Sequence, residues 1–564
     1  MKTSLAASLL LLSTVFQPVL SHAAWTTNGV PVVAITGKQS NQVMVSDGAG
    51  GAIVAWQDQR GADFDIYVQR IDASGVARWT ANGVALCTAT SDQYAPQIIS
   101  DGAGGAIVAW PDHRNGTNDD VYVRRVDASG VAQWTANGVA LCTANDNQSR
   151  PIIVADGSGG AIVAWSDDRS GIDTDIYVQR VNAAGAIQYA GNGVAVCTAT
   201  DNQSVSALVP NGAGAAIAVW QDLRSGTNDD IYAQRINSIG GMSWAANGVA
   251  LSSASGDQDS PAAVSDGAGG VIATWEDFRG GVTYDVYAQH INSAGAVKWA
   301  TNGVALCTAA EDQVLPTITS DGAGGAIASW NDNRTNLDTD IYAQRVNASG
   351  VVQWTANGVG LCTASSGQDS PALGPDGFGG AIAAWDDGRN GNPDVYAQRV
   401  NAVGVVQWMP DGIPVVNATG QQSFPALITI GTGGGAIITW RDLRSDVQAD
   451  IYAVRLGPSG TVPTGVGGAT PALSMTVGKN YPNPFSGTTT VDLTLHQATE
   501  VDVEVFDAAG RRVCSIDEGR RNAGASELSF NGLDEQAHAL PSGVYFFRVH
   551  AGAETVTRKM VIER

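Results

Sequence analysis

The phrase W-x-D-x-R occurs eight times in this chain, with its tryptophans at Trp56, Trp110, Trp165, Trp220, Trp275, Trp330, Trp385 and Trp440, spaced by 54 residues once and by 55 six times. A fixed period of this length marks an array of supersecondary units, each unable to bury its apolar faces without its neighbours. Within a unit the apolar runs are short and separated by glycine turns. The second unit reads Pro96–Ser100, the turn Asp101-Gly102-Ala103-Gly104-Gly105, Ala106–Trp110, a polar loop, Asp120–Val126, the turn Asp127-Ala128-Ser129-Gly130, and Val131–Trp134. Asp-Gly and Ser-Gly pairs supply the positive φ of tight turns, so the string predicts two hairpins and four strands per unit.

Ala52-Ile53-Val54-Ala55-Trp56 is apolar on both faces of a strand and must be covered on both sides. Blades arranged around an axis give that cover. The sequence therefore predicts an all-β protein: an eight-bladed β-propeller over 24–462, with a β-helix as the weaker alternative because its coils are usually shorter. Seven units end on an aromatic, Trp79, Trp134, Tyr189, Trp244, Trp299, Trp354 and Trp408, but the eighth has Thr464 there, while Trp25-Thr26-Thr27-Asn28-Gly29-Val30 has no unit of its own. The segment from Trp25 is expected to complete the eighth blade or seal the first against it.

Residues 1–23, with Lys2, an apolar run from Leu5 to Leu20 and the small residues Ser21 and Ala23, read as a secretory signal peptide, which places the protein outside the cytoplasm. No other apolar stretch reaches the length of a membrane span. Cys87, Cys142, Cys197, Cys307 and Cys362 share one place in their units, where others carry Val33, Ser252 and Val416; the sequence predicts small buried thiols rather than bridges, since equivalent points on neighbouring blades lie too far apart. Cys514 stands alone in another domain. Residues 24–474 hold 21 Lys plus Arg against 42 Asp plus Glu, a net charge of −21, which argues against nucleic acid and anionic lipid as partners.

The recurring polar residues read as structural. Asp58 and Arg60, Asp112 and Arg114, and so on to Asp442 and Arg444 obey the repeat, whereas an active site must break it; a buried Asp-Arg pair, or a pair closing the loop onto Asp65, Asp120, Asp175, Asp230, Asp285, Asp340, Asp394 or Asp450, is the natural reading. Calcium on loop aspartates such as Asp168, Asp173 and Asp175 is the rival, opposed by the arginine inside each loop. No metal and no catalytic residue is assigned. A glutamine recurs at Gln39, Gln93, Gln148, Gln203, Gln258, Gln313, Gln368 and Gln422 and is expected to tie backbone groups between blades. The loop between the second and third strands varies most, so Phe64, Phe278, Tyr284 and Leu337 form the candidate ligand-binding face.

After a Gly-, Pro- and Thr-rich linker at 463–475 the pattern changes. Residues 476–564 alternate over short strands at Thr490–Leu495, Val501–Phe506, Val544–Val549 and Thr555–Ile562, which predicts a small immunoglobulin-like β-sandwich. Asn480-Tyr481-Pro482-Asn483-Pro484-Phe485, the F-D-x-x-G-R turn with Gly510 and Arg511, the L-x-S-G-V-Y-F segment with Gly543 and Tyr545, and the end Arg558-Lys559-Met560-Val561-Ile562 follow in order. In these motifs the tail resembles the type A C-terminal sorting domain of the type IX secretion system of Bacteroidota and related bacteria. The resemblance implies export through that machinery, then release or attachment at the cell surface, with the tail removed. It says nothing of what the cargo does. The propeller resembles no family of known activity closely enough to transfer chemistry.

The functional expectation is a non-catalytic binding or adhesion protein acting outside the cell on a glycan or another protein. The alternatives are a polysaccharide hydrolase or lyase using Asp residues, since His, Lys and Glu are scarce in the repeats, and a structural surface component.

Overall fold

The computed structural model describes residues 25–431, 433–445, 448–463, 475–495, 499–507, 511–522, 524–536, 538–551 and 554–564. The signal segment, most of the linker, Thr464 and Gly510 lie outside them. The chain divides into two compact units, 1–466 and 467–564.

The first unit is a β-propeller-like repeat of eight four-stranded antiparallel sheets. Sheet 1 consists of Gln39–Ser46, Ala52–Asp58, Asp65–Ile71 and Val84–Cys87 in that order. Sheets 2 to 8 begin at Gln97–Ser100, Gln148–Ala155, Gln203–Pro210, Gln258–Ser265, Gln313–Ser320, Gln368–Pro375 and Gln422–Ile430. Sheet 2 starts late because Pro111 lies opposite Tyr94: with no N–H to give, it weakens the ladder, leaving Gln93–Asp112 as an isolated bridge.

The fourth strand corrects the sequence reading. It is Val139–Cys142 in sheet 2, and Val131–Trp134 contributes only the bridge Val126–Ala132. Trp134 has a φ of 62°. Its indole turns away to donate to Ala183 O of the next sheet at 3.1 Å. The same bond recurs from Trp79 to Ala128 O, Trp244 to Ser293 O and Trp299 to Ala348 O. These aromatics lock one sheet to the next instead of extending a strand.

Trp25 supplies the missing member of that series. Its Nε1 donates to Ala73 O at 2.9 Å, and Val30–Val33 pairs antiparallel with Asp450–Leu456 as the fourth strand of sheet 8. Each Gln amide also reaches back one sheet, from Gln93 N to Phe64 O (2.7 Å) through Gln422 N to Pro393 O (2.8 Å), and Gln39 N to Ala449 O (2.8 Å) joins the eighth sheet to the first. Chain end and chain start are thus held by the bonds that hold every other neighbour.

The two-sided apolar strand does what its composition requires. Ile53 and Ala55 pack with Ala106, Val108 and Trp110 of sheet 2, while Ala52, Val54 and Trp56 pack with Ile437, Ile451 and Ala453 of sheet 8. All eight repeat tryptophans are fully buried. Gly83, at φ +94°, makes room for one of them, since a Cβ there would sit 2.5 Å from the Trp56 ring.

The second unit is a two-layer sandwich. Met475–Tyr481, Thr489–Leu495 and Gly524–Phe530 form one sheet; Arg512–Arg521, Thr499–Asp507, Gly543–Ala551 and Glu554–Ile562 form the other. Val491, Leu493 and Phe530 of one layer and Val503, Phe547 and Ile562 of the other share a single core. Phe485 inserts into it, with its N–H on Val561 O (3.0 Å) and its ring 6.2 Å from Phe530. Asn480 donates to Thr489 Oγ1, Asn483 Oδ1 accepts from Val561 N, Arg511 pairs with Asp507, and Tyr545 donates to Pro541 O. Pro482 and Pro484 both follow cis peptide bonds.

Candidate functional site

The invariant Trp, Asp and Arg of each repeat are joined to one another. Trp56 Nε1 donates to Asp58 Oδ2 at 2.7 Å, Arg60 grips the same carboxylate through Nε (2.9 Å) and Nη2 (2.7 Å), and Nη2 also reaches Asn82 O at 2.8 Å. The guanidinium lies 3.7 Å from the Tyr67 ring centroid. The same knot closes at Trp110-Asp112-Arg114 and at Trp440-Asp442-Arg444, where the last carbonyl is Asn28 O. The carboxylate is fully buried and saturated by these bonds, and the arginine spends Nε and Nη2 on it and on a neighbouring carbonyl, so the pair works for cohesion.

Two further repeated groups are also internal. The thiols of Cys87, Cys142, Cys197, Cys307 and Cys362 are free, buried and pushed up to about 12 by that burial. Gln93 Nε2 donates to Ala89 O, Thr90 O and Ser91 O, tying down the connection that leads into its own strand. Asp65, Asp120, Asp175, Asp230, Asp285 and Asp340 open the third strands. Burial first, then neighbouring aspartates such as the partner facing each across the ladder, raises them to about 6.

The residues proposed from the variable loops fall apart into separate places. Phe278 and Tyr284 meet in sheet 5 with rings 4.9 Å apart. Phe64 belongs to sheet 1, where Lys38 Nζ lies 6.0 Å from its ring, and Leu337, 89% exposed, belongs to sheet 6. Asp168 accepts from Thr174 Oγ1 and Asp173 from Ser170 Oγ. Among the described residues no three His, Cys, Asp or Glu side chains gather as a metal-holding group.

What breaks the symmetry is a pair of columns inside the invariant strands. The residue after each tryptophan runs Gln57, Pro111, Ser166, Gln221, Glu276, Asn331, Asp386, Arg441. It faces a bulge in the first strand of the next sheet, where Asn41, Ala95, Arg150, Ser260, Leu315, Ser370 and Phe424 take φ values of 43° to 57°. The first column caps the second. Ala95 N donates to Gln57 Oε1 (3.0 Å), Val205 N to Ser166 Oγ (3.2 Å), Leu315 N to Glu276 Oε1 (2.7 Å) and Phe424 N to Asp386 Oδ1 (2.8 Å). The only signal for these positions in the sequence is their variation between residues that do not vary.

Around sheets 4 and 5 the columns are acidic. Gln221 Nε2 donates to both Asp229 (2.9 Å) and Asp259 (2.8 Å), so one amide holds two carboxyls together. Burial raises Asp259 to about 6, aided by Asp229, Asp257 and Glu276 and opposed by the Tyr284 hydroxyl that bonds it at 3.1 Å; Asp229 and Glu276 are raised by burial too. The Tyr284 phenol goes up to about 12 through burial and the Asp259 charge.

Sheets 7, 8 and 1 present the opposite chemistry. A cleft of about 410 Å³ there is bordered by Lys38, Asn41, Gln57, Ser370, Phe424 and Arg441, with Ser40 and Gln42 at its wall and no carboxylate in its lining. Phe424 is 55% exposed and Arg441 lies 5.1 Å from its ring centroid. Asp386, close by, is raised to about 7 by burial, against the bond from Phe424 N.

The family of FlgD Ig-like domains matches residues 479–554. No curated protein matches this chain. Among solved structures, FlgD from P. aeruginosa is 26% identical over 13% of this chain with a TM-score of 0.12; the match spans 59% of FlgD, less than two thirds of its length. An endo-arabinase from Bacteroides thetaiotaomicron (13% identity, 46% of this chain and 96% of its own, TM-score 0.28) and an ulvan lyase (10%, 78% and 96%, 0.40) are similar to it as well. Likeness at these scores says nothing about chemistry.

Proposed function

We propose that this chain is an eight-bladed β-propeller, secreted or displayed at the cell surface, that binds an extracellular glycan or protein without transforming it. On this reading the C-terminal sandwich is the sorting domain of type IX export, and its partner is the secretion machinery. The reading rests above all on the pairing of the W-x-D-x-R aspartate with its arginine in all eight repeats, which commits the most regular polar residues to cohesion and turns attention to the positions that vary. Support for export comes from the motifs around Asn480–Phe485, Arg511 and Tyr545, whose side chains hold the sandwich together. No helix among the described residues is long and apolar enough to cross a membrane.

A glycan array and a hydrolysis screen on the chain from residue 24 test the binding reading: retention on specific glycans without product release is expected, and turnover of a bound glycan would overturn it. Deletion of 476–564 in a type IX-competent host is expected to trap the propeller in the periplasm; unaltered surface delivery refutes the sorting role. One observation favours a second reading, an Asp-based hydrolase or lyase: Asp229 and Asp259, both raised by burial, share the Gln221 amide beside Tyr284, and two carboxyls held this close are the kind of pair between which acid and base roles are divided. Loss of any detected turnover in Asp259→Asn would establish it.

A further inference from the structure

We infer that the cleft between sheets 7, 8 and 1 binds a saccharide through a carboxylate, that is, a uronic acid residue. The inference rests on the glycan-binding reading above and names its substrate class. Its ground is a vacancy in the repeat. In sheets 4 and 6 the residue after the tryptophan is an amide that donates to an aspartate one residue past the Gln of the next sheet: Gln221 to Asp259 Oδ1 at 2.8 Å and Asn331 to Asp369 Oδ1 at 3.1 Å. In sheet 8 that donor is Arg441, a stronger donor with a full charge, and the position it faces in sheet 1 is Ser40. The donor is present and the carboxylate is missing.

Among the described residues no carboxylate closes on Arg441. Arg441 makes no ion pair among the described residues, and its Nε is buried without a hydrogen-bond partner. Ser40 Oγ accepts from Gln57 Nε2 at 3.2 Å, while Asp386, near enough to feel the Arg441 charge, forms no ion pair with it and takes the Phe424 N–H on Oδ1. Lys38, one of two lysines in the whole repeat region, lines the same cleft. Within residues 24–474, of net charge −21, two cations around a carboxylate-free hollow form a local well for a single anionic group, while a polyanionic macromolecule is repelled by the rest of the surface.

The remaining lining suits a sugar. Phe424 is held outward by its left-handed bulge, an apolar ring face against which a pyranose can stack. Gln57 is committed, its Oε1 to Asn41 Nδ2 (2.7 Å) and Ala95 N and its Nε2 to Ser40, which leaves the Asn41 carbonyl and the Ser370 hydroxyl on the lining for ring hydroxyls.

The test is calorimetric titration of the full chain with trisaccharides of galacturonate, glucuronate, mannuronate and guluronate, each against its methyl ester and a sulfated neutral trisaccharide. At least one free uronate is expected to bind about tenfold or more tightly than its ester. Arg441→Gln is expected to erase that preference, as is Ser40→Asp, which restores the internal carboxylate of sheets 5 and 7 and leaves the melting temperature within a few degrees. Arg150→Gln, a bulge cation of sheet 3, is expected to keep it. The inference is overturned if no uronate outbinds its ester, if only the sulfated sugar binds, or if Arg441→Gln, shown folded by its melting curve, retains the preference. Equal binding of acid and ester ends the uronate assignment but leaves glycan binding intact; absence of all glycan binding on the array ends both.

Discussion

Asp277 offers the sharpest test of the cohesive role of the repeated polar residues. Its fully buried carboxylate accepts four hydrogen bonds: from Trp275 Nε1 (2.7 Å), Arg279 N (3.0 Å), Arg279 Nε (2.7 Å) and Arg279 Nη2 (2.6 Å). Asp277→Ala strands the buried indole N–H, at about 1–3 kcal/mol, and leaves the guanidinium without its counter-charge, which for a buried pair costs about 3–5 kcal/mol. Arg279 keeps Asn302 O (2.6 Å), the Tyr287 face (3.7 Å) and 23% side-chain exposure to water. These compensations place the expected loss near the bottom of that range, about 3–4 kcal/mol. The double variant Asp277→Ala/Arg279→Met removes the stranded charge as well and is expected to recover about 1–2 kcal/mol relative to Asp277→Ala alone. Urea unfolding followed by tryptophan fluorescence measures both, with Asp63→Asn in the exposed loop as a control expected within about 0.5 kcal/mol of the parent. A loss below about 1 kcal/mol for Asp277→Ala, or a double variant as unstable as the two single losses combined, refutes the argument.

Other outcomes follow from the same geometry. The third-strand carboxyls Asp65, Asp120, Asp175, Asp230, Asp285 and Asp340 are raised to about 6 in the folded state, so the fold holds protons there that the unfolded chain releases from about pH 4 upward. Their stabilisation is complete below pH 4 and lost as pH climbs through 6, so calorimetric melting temperatures should fall between pH 4.5 and 7; Asp340→Asn should flatten the slope, and a rise with pH contradicts the assignment. The five repeat thiols should resist a disulfide reagent in the native chain and react fully once urea unfolds it, whereas rapid native labelling of Cys197 contradicts its burial. Cys307→Val should cost less than about 1.5 kcal/mol, because Val33 and Val416 fill the equivalent place in other sheets; a larger loss, read from urea midpoints, means the thiol itself matters.

The repeat, the Asp-Arg pairing as one of two possibilities and the role of Trp25 were legible in the sequence because each follows from periodicity and the need to cover two-sided apolar strands; the indole bond that completes each knot was not. The fourth strand was not. Val131-Ala132-Gln133-Trp134 alternates and ends on an aromatic, whereas Val139-Ala140-Leu141-Cys142 looks like a plain apolar scrap; only the neighbouring sheet, which captures the Trp134 indole, decides between them. The candidate sites were legible only in part. Of the four loop residues, Phe64 lies near Lys38, Phe278 packs on Tyr284, which bonds Asp259, and Leu337 stands alone, so they form no single face. Arg441, Phe424 and Asp386 escaped notice because they sit within strands whose other residues repeat, and their meeting depends on a bulge that no local pattern announces.

Closure by the first strand underlies the whole account, and complementation measures it directly. A chain starting at residue 34 lacks Trp25, Val30, Val32 and Val33, all nearly or fully buried against sheets 8 and 1. It should melt well below the parent and recover when a synthetic peptide of residues 24–36 is added, but not when that peptide carries Val32→Asp. A truncated chain that melts with the parent, indifferent to the peptide, would contradict the closed arrangement.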